Sequence, residues 1–118
     1  MKITERRSGD ITILDGQGRI MFGDGEEEFR DAVSRAIEAG QVKLVINMAD
    51  VSHVDSTGIS QIVRTFVTAG KRGGQMKLLG LTKRVRELLN ITRLLTVIEA
   101  FESEAEAIAS FGEGSETS

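Results

Sequence analysis

The chain contains 118 residues, with a formal net charge of −3, a single histidine and no cysteine. This length is enough for one domain with one hydrophobic core. The lack of cysteine excludes disulfides, thiolate catalysis and cysteine metal sites. The five aromatic residues are all phenylalanine, and together with the negative net charge this argues against a basic, aromatic-studded surface for nucleic acid.

Hydrophobic residues make up 40% of the chain and charged residues 28%, as in soluble globular proteins. None of the apolar runs approaches the roughly 20 residues that a membrane-spanning helix needs. The N-terminal segment Met1–Arg7 has a charge cluster with no apolar stretch behind it, which is not the pattern of a secretory signal. We therefore expect a cytoplasmic protein with no membrane partner.

The first predicted elements are two short strands around a glycine-containing turn. Residues 1–10 are polar and indicate a loose or edge segment. Ile11–Leu14 has the apolar character of a strand, Asp15–Gly18 carries a turn signal, and Arg19–Phe22 is the returning strand of an antiparallel hairpin. Because no helix follows Gly16 and Gly18, these glycines favour turn geometry over phosphate binding.

A helix is predicted after the Gly23–Gly25 segment. Asp24 and Glu27 have the spacing of a capping box, although the Gly-Asp-Gly run also fits a metal or phosphate loop. Gly40 is placed to end this helix as a C-terminal cap. Its buried face is predicted to comprise five apolar residues: Phe29, Ala32, Val33, Ala36 and Ile37.

The central stretch is predicted to be a buried strand, a loop and a helix. Val42–Met48 is nearly continuous in apolar residues, as in a strand covered on both faces or lying centrally in a sheet. Ala49–Gly58 is the predicted loop, and a helix is predicted over Thr57–Gly70. The apolar stripe of that helix follows the i, i+3, i+4, i+7 pattern: Ile59, Ile62, Val63, Phe66 and Val67.

The last part of the chain alternates strands and helices. Met76–Leu79 is a strand, and a short helix opening at Leu81 and Thr82 has Val85, Leu88 and Leu89 on its apolar side. Thr96–Ala100 is the predicted last strand. Ser103 and Glu106 predict a capping box for a final helix with Ala107, Ile108 and Phe111, and residues 112–118 predict a disordered polar tail.

This order of elements predicts an α/β fold, with a mixed, mostly parallel β-sheet of about five strands and about four α-helices. The strands around residues 20, 45, 78 and 98 are expected to be parallel, and the first strand antiparallel to the second. Loops 23–25, 49–57 and 80–82 then share the edge where such sheets usually bind ligands. The side chains expected to meet there are Asp24, Asp50, Asp55, Ser56 and Thr82.

Ser56 lies where a strand is followed by a helix, and the N-terminus of a helix stabilises an anion. A hydroxyl there can carry a phosphate. Asp55 equally fits a simple helix cap, with Ser56 and Thr57 as first-turn residues without function. His53 is the only candidate base for a serine nucleophile, and the Gly-x-Ser-x-Gly pattern is missing. Asp50 and Asp55 offer few metal ligands, so neither an enzyme nor a metal or cofactor site is predicted.

Three segments resemble the STAS domain family, and more closely the stand-alone bacterial anti-sigma factor antagonists: Val45–Ile59, Gly73–Leu78 and Val85–Thr92. The resemblance covers roughly residues 8–111, and we expect a single STAS-like domain over residues 1–111, with residues 112–118 as a disordered polar tail. It also implies that an anti-sigma factor with serine kinase activity phosphorylates Ser56, with Thr57 less favoured, and that a PP2C-type phosphatase reverses this step.

The resemblance implies that the unphosphorylated protein binds the kinase and the phosphorylated protein releases it. The implied partner-binding residues are Asp24, Asp50, Asp55, Ser56, Thr57, Gly58 and Ser60. The alternative is a scaffold or small-ligand module of the same fold in which Ser56 is not modified. The chain departs from common members of the family at Met21–Gly25, and at Ser60 where glycine is frequent.

Overall fold

The computed structural model describes residues 1–116. Its elements follow one another in an order close to the predicted one. They are β1 (Lys2–Ser8), β2 (Ile11–Ile20), α1 (Glu26–Glu38), β3 (Lys43–Val54), α2 (Ser56–Lys71), β4 (Gln75–Leu79), α3 (Lys83–Ile91), a short 3₁₀ helix (Leu94–Thr96), β5 (Ala100–Phe101) and α4 (Glu104–Glu116).

The five strands form one sheet in which the spatial order is the chain order, β1 to β5. β1 is antiparallel to β2, and the pairs β2–β3, β3–β4 and β4–β5 are parallel. This confirms the predicted fold class, a mostly parallel mixed sheet with helices. Because the parallel crossovers all step in the same direction, a constant right-handed connection puts α1, α2 and α3 on one face.

The core is divided between the two faces of the sheet. On β3, Leu44, Ile46 and Met48 face the layer of α1, α2 and α3, whereas Val45 belongs to a separate cluster that includes Ala107 of α4. This alternation follows from the pleat of a strand, in which neighbouring side chains point to opposite faces. β3 is therefore covered on both sides, as its apolar sequence predicts.

Helix α1 is formed by a sequence with one apolar face and a defined end. All five residues of its predicted buried face are buried. After Ala39, the N–H of Gly40 donates to the Ile37 carbonyl at 3.0 Å, and the N–H of Gln41 donates to the Ala36 carbonyl at 2.9 Å. These two bonds form a Schellman motif, and Gly40 has φ of 84° as that motif requires.

The predicted hairpin is wrong in its position. The observed hairpin joins β1 and β2, so its turn lies at Gly9 and Asp10. Asp15–Gly18 lies inside β2, where the pairing with β3 shifts register twice. The glycines that suggested a turn therefore mark irregularities within a long strand, which is the other common use of glycine in sheets.

Three further boundaries differ from the prediction. β3 continues to Val54, so the predicted loop from Ala49 shortens to a single residue before α2. The predicted strand Thr96–Ala100 is largely replaced by the 3₁₀ helix and the two-residue β5. Helix α4 is assigned to Glu116, so the predicted tail boundary falls inside this helix, and residues 117 and 118 lie outside the described part. The division at residue 111 stays a prediction.

One charged side chain lies inside the layer between the sheet and α4. Lys77 of β4 is only 3% exposed. Its Nζ donates to Ser110 Oγ at 2.7 Å, lies 3.1 Å from a Glu99 carboxylate oxygen and sits 4.6 Å from the centre of the Phe111 ring. Such pairing and ring contact offset the cost of burying an ammonium group.

Candidate functional site

The start of α2 is defined by the side chain of Asp55. One carboxylate oxygen, Oδ1, accepts a hydrogen bond from the N–H of Gly58 at 2.9 Å, and the Asp55 carbonyl accepts from the N–H of Ile59 at 2.9 Å. Asp55 is thus the N-cap of α2, as one of the two sequence interpretations predicts. Ser56 and Thr57 are the first two residues of the helix.

The other oxygen of Asp55 connects the helix start to the end of β2. Oδ2 accepts a hydrogen bond from the backbone N–H of Phe22 at 2.9 Å. The N–H groups of Phe22 and Gly58, in that order of strength, hold the pKa of the Asp55 carboxyl below its ordinary value, because hydrogen bonds to the charged form favour it. One carboxylate therefore orders two segments that are 33 residues apart in the chain.

Gly58 lets the first turn of α2 lie directly against β2. A Cβ atom at this position would be 2.0 Å from the Ile20 carbonyl oxygen and 2.8 Å from a methyl group of Val54. No side chain fits there without moving the helix. The predicted role of Gly58 in partner binding stays a prediction, and the structure shows a packing reason for glycine at this position.

The two hydroxyl residues at the helix start differ in exposure. Ser56 is exposed and Thr57 is half-buried. Ser60, one turn later, is exposed and donates its hydroxyl hydrogen bond to the Ser56 carbonyl at 3.0 Å. The Ser56 hydroxyl is therefore accessible to a modifying enzyme, and a phosphate there would lie at the positive end of α2.

The segment after β2 forms a tight turn beside this helix start. The backbones of Met21 and Asp24 exchange two hydrogen bonds of 2.9 Å each, and Gly23 within the turn has φ of 71°. The predicted capping box of α1 is wrong, because Gly25 precedes the helix and the Asp24 carboxylate lies 3.2 Å from the Arg19 guanidinium instead.

The structure places the side chains predicted to meet at this edge at two different positions along β3. Asp55, Ser56 and the turn containing Asp24 lie together at the carboxyl end of β3. Asp50 belongs to β3 and pairs with Gln17, about 16 Å from Asp55 at the usual rise of a strand. The loop before α3 also lies beside this part of β3, since a Cβ at Gly80 would be 3.2 Å from that of Ala49. The prediction that Asp50 and Thr82 adjoin Ser56 is therefore wrong.

The histidine considered as a catalytic base contacts the side chain of its neighbour in the chain. The ring nitrogen Nδ1 of His53 lies 2.9 Å from Ser52 Oγ, its neighbour in the chain. Among the described residues, no group of three or more His, Cys, Asp and Glu side chains is placed to hold a metal ion. None of the helices in the described part is long and apolar enough to cross a membrane.

Sequence reasoning missed the contribution of Phe22. The contact between its N–H and Asp55 joins distant parts of the chain, and a local pattern cannot reveal it. The Phe22 side chain is 72% exposed, although the pattern placed this residue at the end of an apolar strand. The sequence signal for its exposure was its position directly before the glycine-containing segment Gly23–Gly25, where the predicted strand ends.

The chain matches a family model described as STAS domain over residues 2–107. It is 37% identical over 110 residues to the anti-sigma-B factor antagonist of Listeria monocytogenes, an alignment that covers 90% of this chain and 91% of the relative. It is also 43% identical over 56 residues to the anti-sigma-B factor antagonist of Bacillus subtilis, covering 48% of this chain and 51% of the relative.

Solved structures share the fold. An anti-sigma factor antagonist from Mycobacterium paratuberculosis has a TM-score of 0.83 at 16% identity, with 92% of each chain covered. The Bacillus cell fate determinant SpoIIAA in its phosphorylated form has a TM-score of 0.71 at 19% identity, covering 93% of this chain and 99% of that one. At these identities the likeness is one of architecture.

Proposed function

Because the chain belongs to the STAS domain family, and within it to the anti-sigma factor antagonists, we propose that it acts as a phosphorylation-controlled binding protein. The unphosphorylated protein binds an anti-sigma factor that is also a serine kinase. Phosphorylation of Ser56 releases that partner, and a PP2C-type phosphatase restores the binding form. A protein of this kind is a regulator in the cytoplasm and not an enzyme.

The observation that carries this proposal is the exposed Ser56 at the first position of α2. The hydroxyl stands next to a carboxylate whose two oxygens already accept hydrogen bonds from Phe22 and Gly58. These bonds order the backbone at the start of α2, so the segment that presents the hydroxyl to a kinase is preorganised. A related fold has been solved in a phosphorylated form, which is consistent with this chemistry.

The release step is a local electrostatic effect. A phosphate adds about 1.5 to 2 negative charges at neutral pH, directly beside the Asp55 carboxylate. The helix N-terminus stabilises these charges within the domain, but a partner that covers Ser56 must remove them from water. An unfavourable contact of about 1.4 kcal/mol already weakens binding tenfold, and misplaced charges in interfaces cost several kcal/mol.

The test uses the serine kinase anti-sigma factors encoded in the genome that carries this chain, purified and supplied with Mg²⁺ and ATP. We expect one of them to transfer phosphate to the wild type and to Thr57→Ala, but not to Ser56→Ala. Ser56→Ala should retain binding, whereas Ser56→Asp should bind at least about tenfold more weakly. Peptide mass spectrometry locates the phosphate.

Three outcomes would contradict the proposal. Phosphate incorporated into Ser56→Ala would remove Ser56 from its role, and its loss only in Thr57→Ala would transfer the role to Thr57. A chain that none of the kinases binds or modifies, and that stays unmodified in its own cells under growth and stress, would favour the scaffold or small-ligand module.

A further inference from the structure

One aromatic side chain is displayed to solvent in the turn that the Asp55 carboxylate holds against the start of α2. All five phenylalanines lie in the described part of the chain, and Phe22 alone is mostly exposed, at 72%. We propose that Phe22 is the aromatic anchor of the interface with the anti-sigma factor, and that its ring enters an apolar pocket of that partner. This inference rests on the proposed function and names the residue that gives the interface its affinity.

The ring is presented by a rigid segment. Two backbone hydrogen bonds of 2.9 Å close the turn between Met21 and Asp24, the Asp55 carboxylate holds the Phe22 N–H, and Arg19 pairs with Asp24. A partner therefore does not have to order this turn when it binds. Preorganisation of this kind reduces the entropic cost of association, and aromatic anchors dominate the affinity of many interfaces.

A groove lined by apolar side chains, and by Arg64 and Lys71 toward its far end, lies beyond Ser56 along α2. Ile59, Ser60 and Val63 line this shallow groove of about 500 Å³ on the helix, and it begins within one turn of the phosphoacceptor. A partner that receives the Phe22 ring and covers the start of α2 also covers the Ser56 hydroxyl. The same contact surface would then hold the anchor and the switch.

This arrangement specifies the chemistry of the partner. The complementary surface is an apolar pocket for the ring, and the part that faces Ser56 must accept a neutral hydroxyl. A phosphate at Ser56 would have to give up its water in such a contact. Phosphorylation within a hydrophobic interface disrupts it through that desolvation cost, which accounts for release without a change of fold.

Ile91 provides a matched control. It is 79% exposed, as apolar as Phe22, and it is the last residue of α3. Since α3 starts at the carboxyl end of β4 and returns, Ile91 lies toward the amino ends of the parallel strands, away from Ser56. If exposure alone produced binding, Ile91 would contribute as much as Phe22.

The experiment uses the kinase identified by the phosphorylation assay, loaded with ADP so that Ser56 stays unmodified, and measures Kd by calorimetry. Phe22→Ala should raise Kd about 10- to 100-fold, in line with the burial of one aromatic side chain. Phe22→Leu should recover part of the loss, and Ile91→Ala should change Kd less than about twofold. The melting temperature of each variant reports whether it is folded.

The same variants are compared as kinase substrates, where the loss in Phe22→Ala should appear as a higher KM. Binding of Phe22→Ala equal to that of the wild type, or an equal loss in Ile91→Ala, would overturn the anchor and leave the proposed function intact. Failure of the wild type to bind any of the kinases would overturn the proposed function, and the anchor with it.

Discussion

Replacement of Gly58 by alanine tests the contact that seats α2 on the sheet. The added Cβ would lie 2.0 Å from the Ile20 carbonyl oxygen and 2.8 Å from a Val54 methyl group. The oxygen belongs to the backbone of β2 and cannot rotate away, so the first turn of α2 must move by about 1 Å. Overpacking of this kind costs about 3 kcal/mol at the upper end of its usual range.

Alanine also favours the helix, by about 1 kcal/mol relative to glycine. The expected net loss is therefore about 2 kcal/mol in the free energy of unfolding. At about 4 °C per kcal/mol for a chain of this length, the melting temperature should fall by about 8 °C. Urea titration and calorimetry measure the two quantities independently.

Gly70→Ala is the matched control on the same helix. A Cβ at Gly70 would have open space around it within the described part of the chain, so only the gain in helix propensity remains, about 0.5 to 1 kcal/mol. The two substitutions should thus have opposite signs. A Gly58→Ala protein as stable as Gly70→Ala would refute the argument that close approach to β2 requires glycine at residue 58.

Three further predictions concern stability. Lys77→Ala should lower the free energy of unfolding, measured by urea titration, by about 2 to 3 kcal/mol because it leaves a cavity. Lys77→Met should lower it by less than about 1 kcal/mol, because the side chain still fills the space and Glu99 remains solvated. Equal losses in the two variants would contradict this reasoning. Hydrogen bonds from Arg6 lower the pKa of the Asp15 carboxyl, so stability should fall as the solution is acidified below about pH 4, and Asp15→Asn should flatten that decline. Thr82 Oγ1 caps α3 by accepting from the Val85 N–H, and Thr82→Ala should cost about 1 kcal/mol by calorimetry.

The sequence was most informative where one local pattern determines the outcome. The buried face of α1 repeats every three to four residues, and burial of all five predicted positions follows from that repeat. The Asp55–Gly58 cap was visible as one of two interpretations because it joins residues three apart. Such features depend on neighbours along the chain, and propensity and periodicity describe neighbours well.

The errors arise where strand length depends on distant partners. Residues 49–54 include polar side chains and were predicted to be a loop, but they pair with the upper half of β2 and extend β3 beyond the five-residue β4. Because of that difference in length, Asp50 and the loop before α3 lie several residues before the carboxyl end of β3, away from Ser56. The Asp24 prediction failed for a different, local reason: Gly25 precedes α1, and the Asp24 carboxylate pairs with Arg19.

The agreement between spatial order and chain order has a consequence for how the molecule forms. Each new strand is added at the free edge of the strands already made, so a chain emerging from the ribosome never has to open an existing sheet. The β1–β2 hairpin is available first, and each helix connects neighbours close in sequence, which favours rapid folding. The surface around Ser56 is complete once α2 is made, whereas the opposite face of the sheet waits for α4, the last helix.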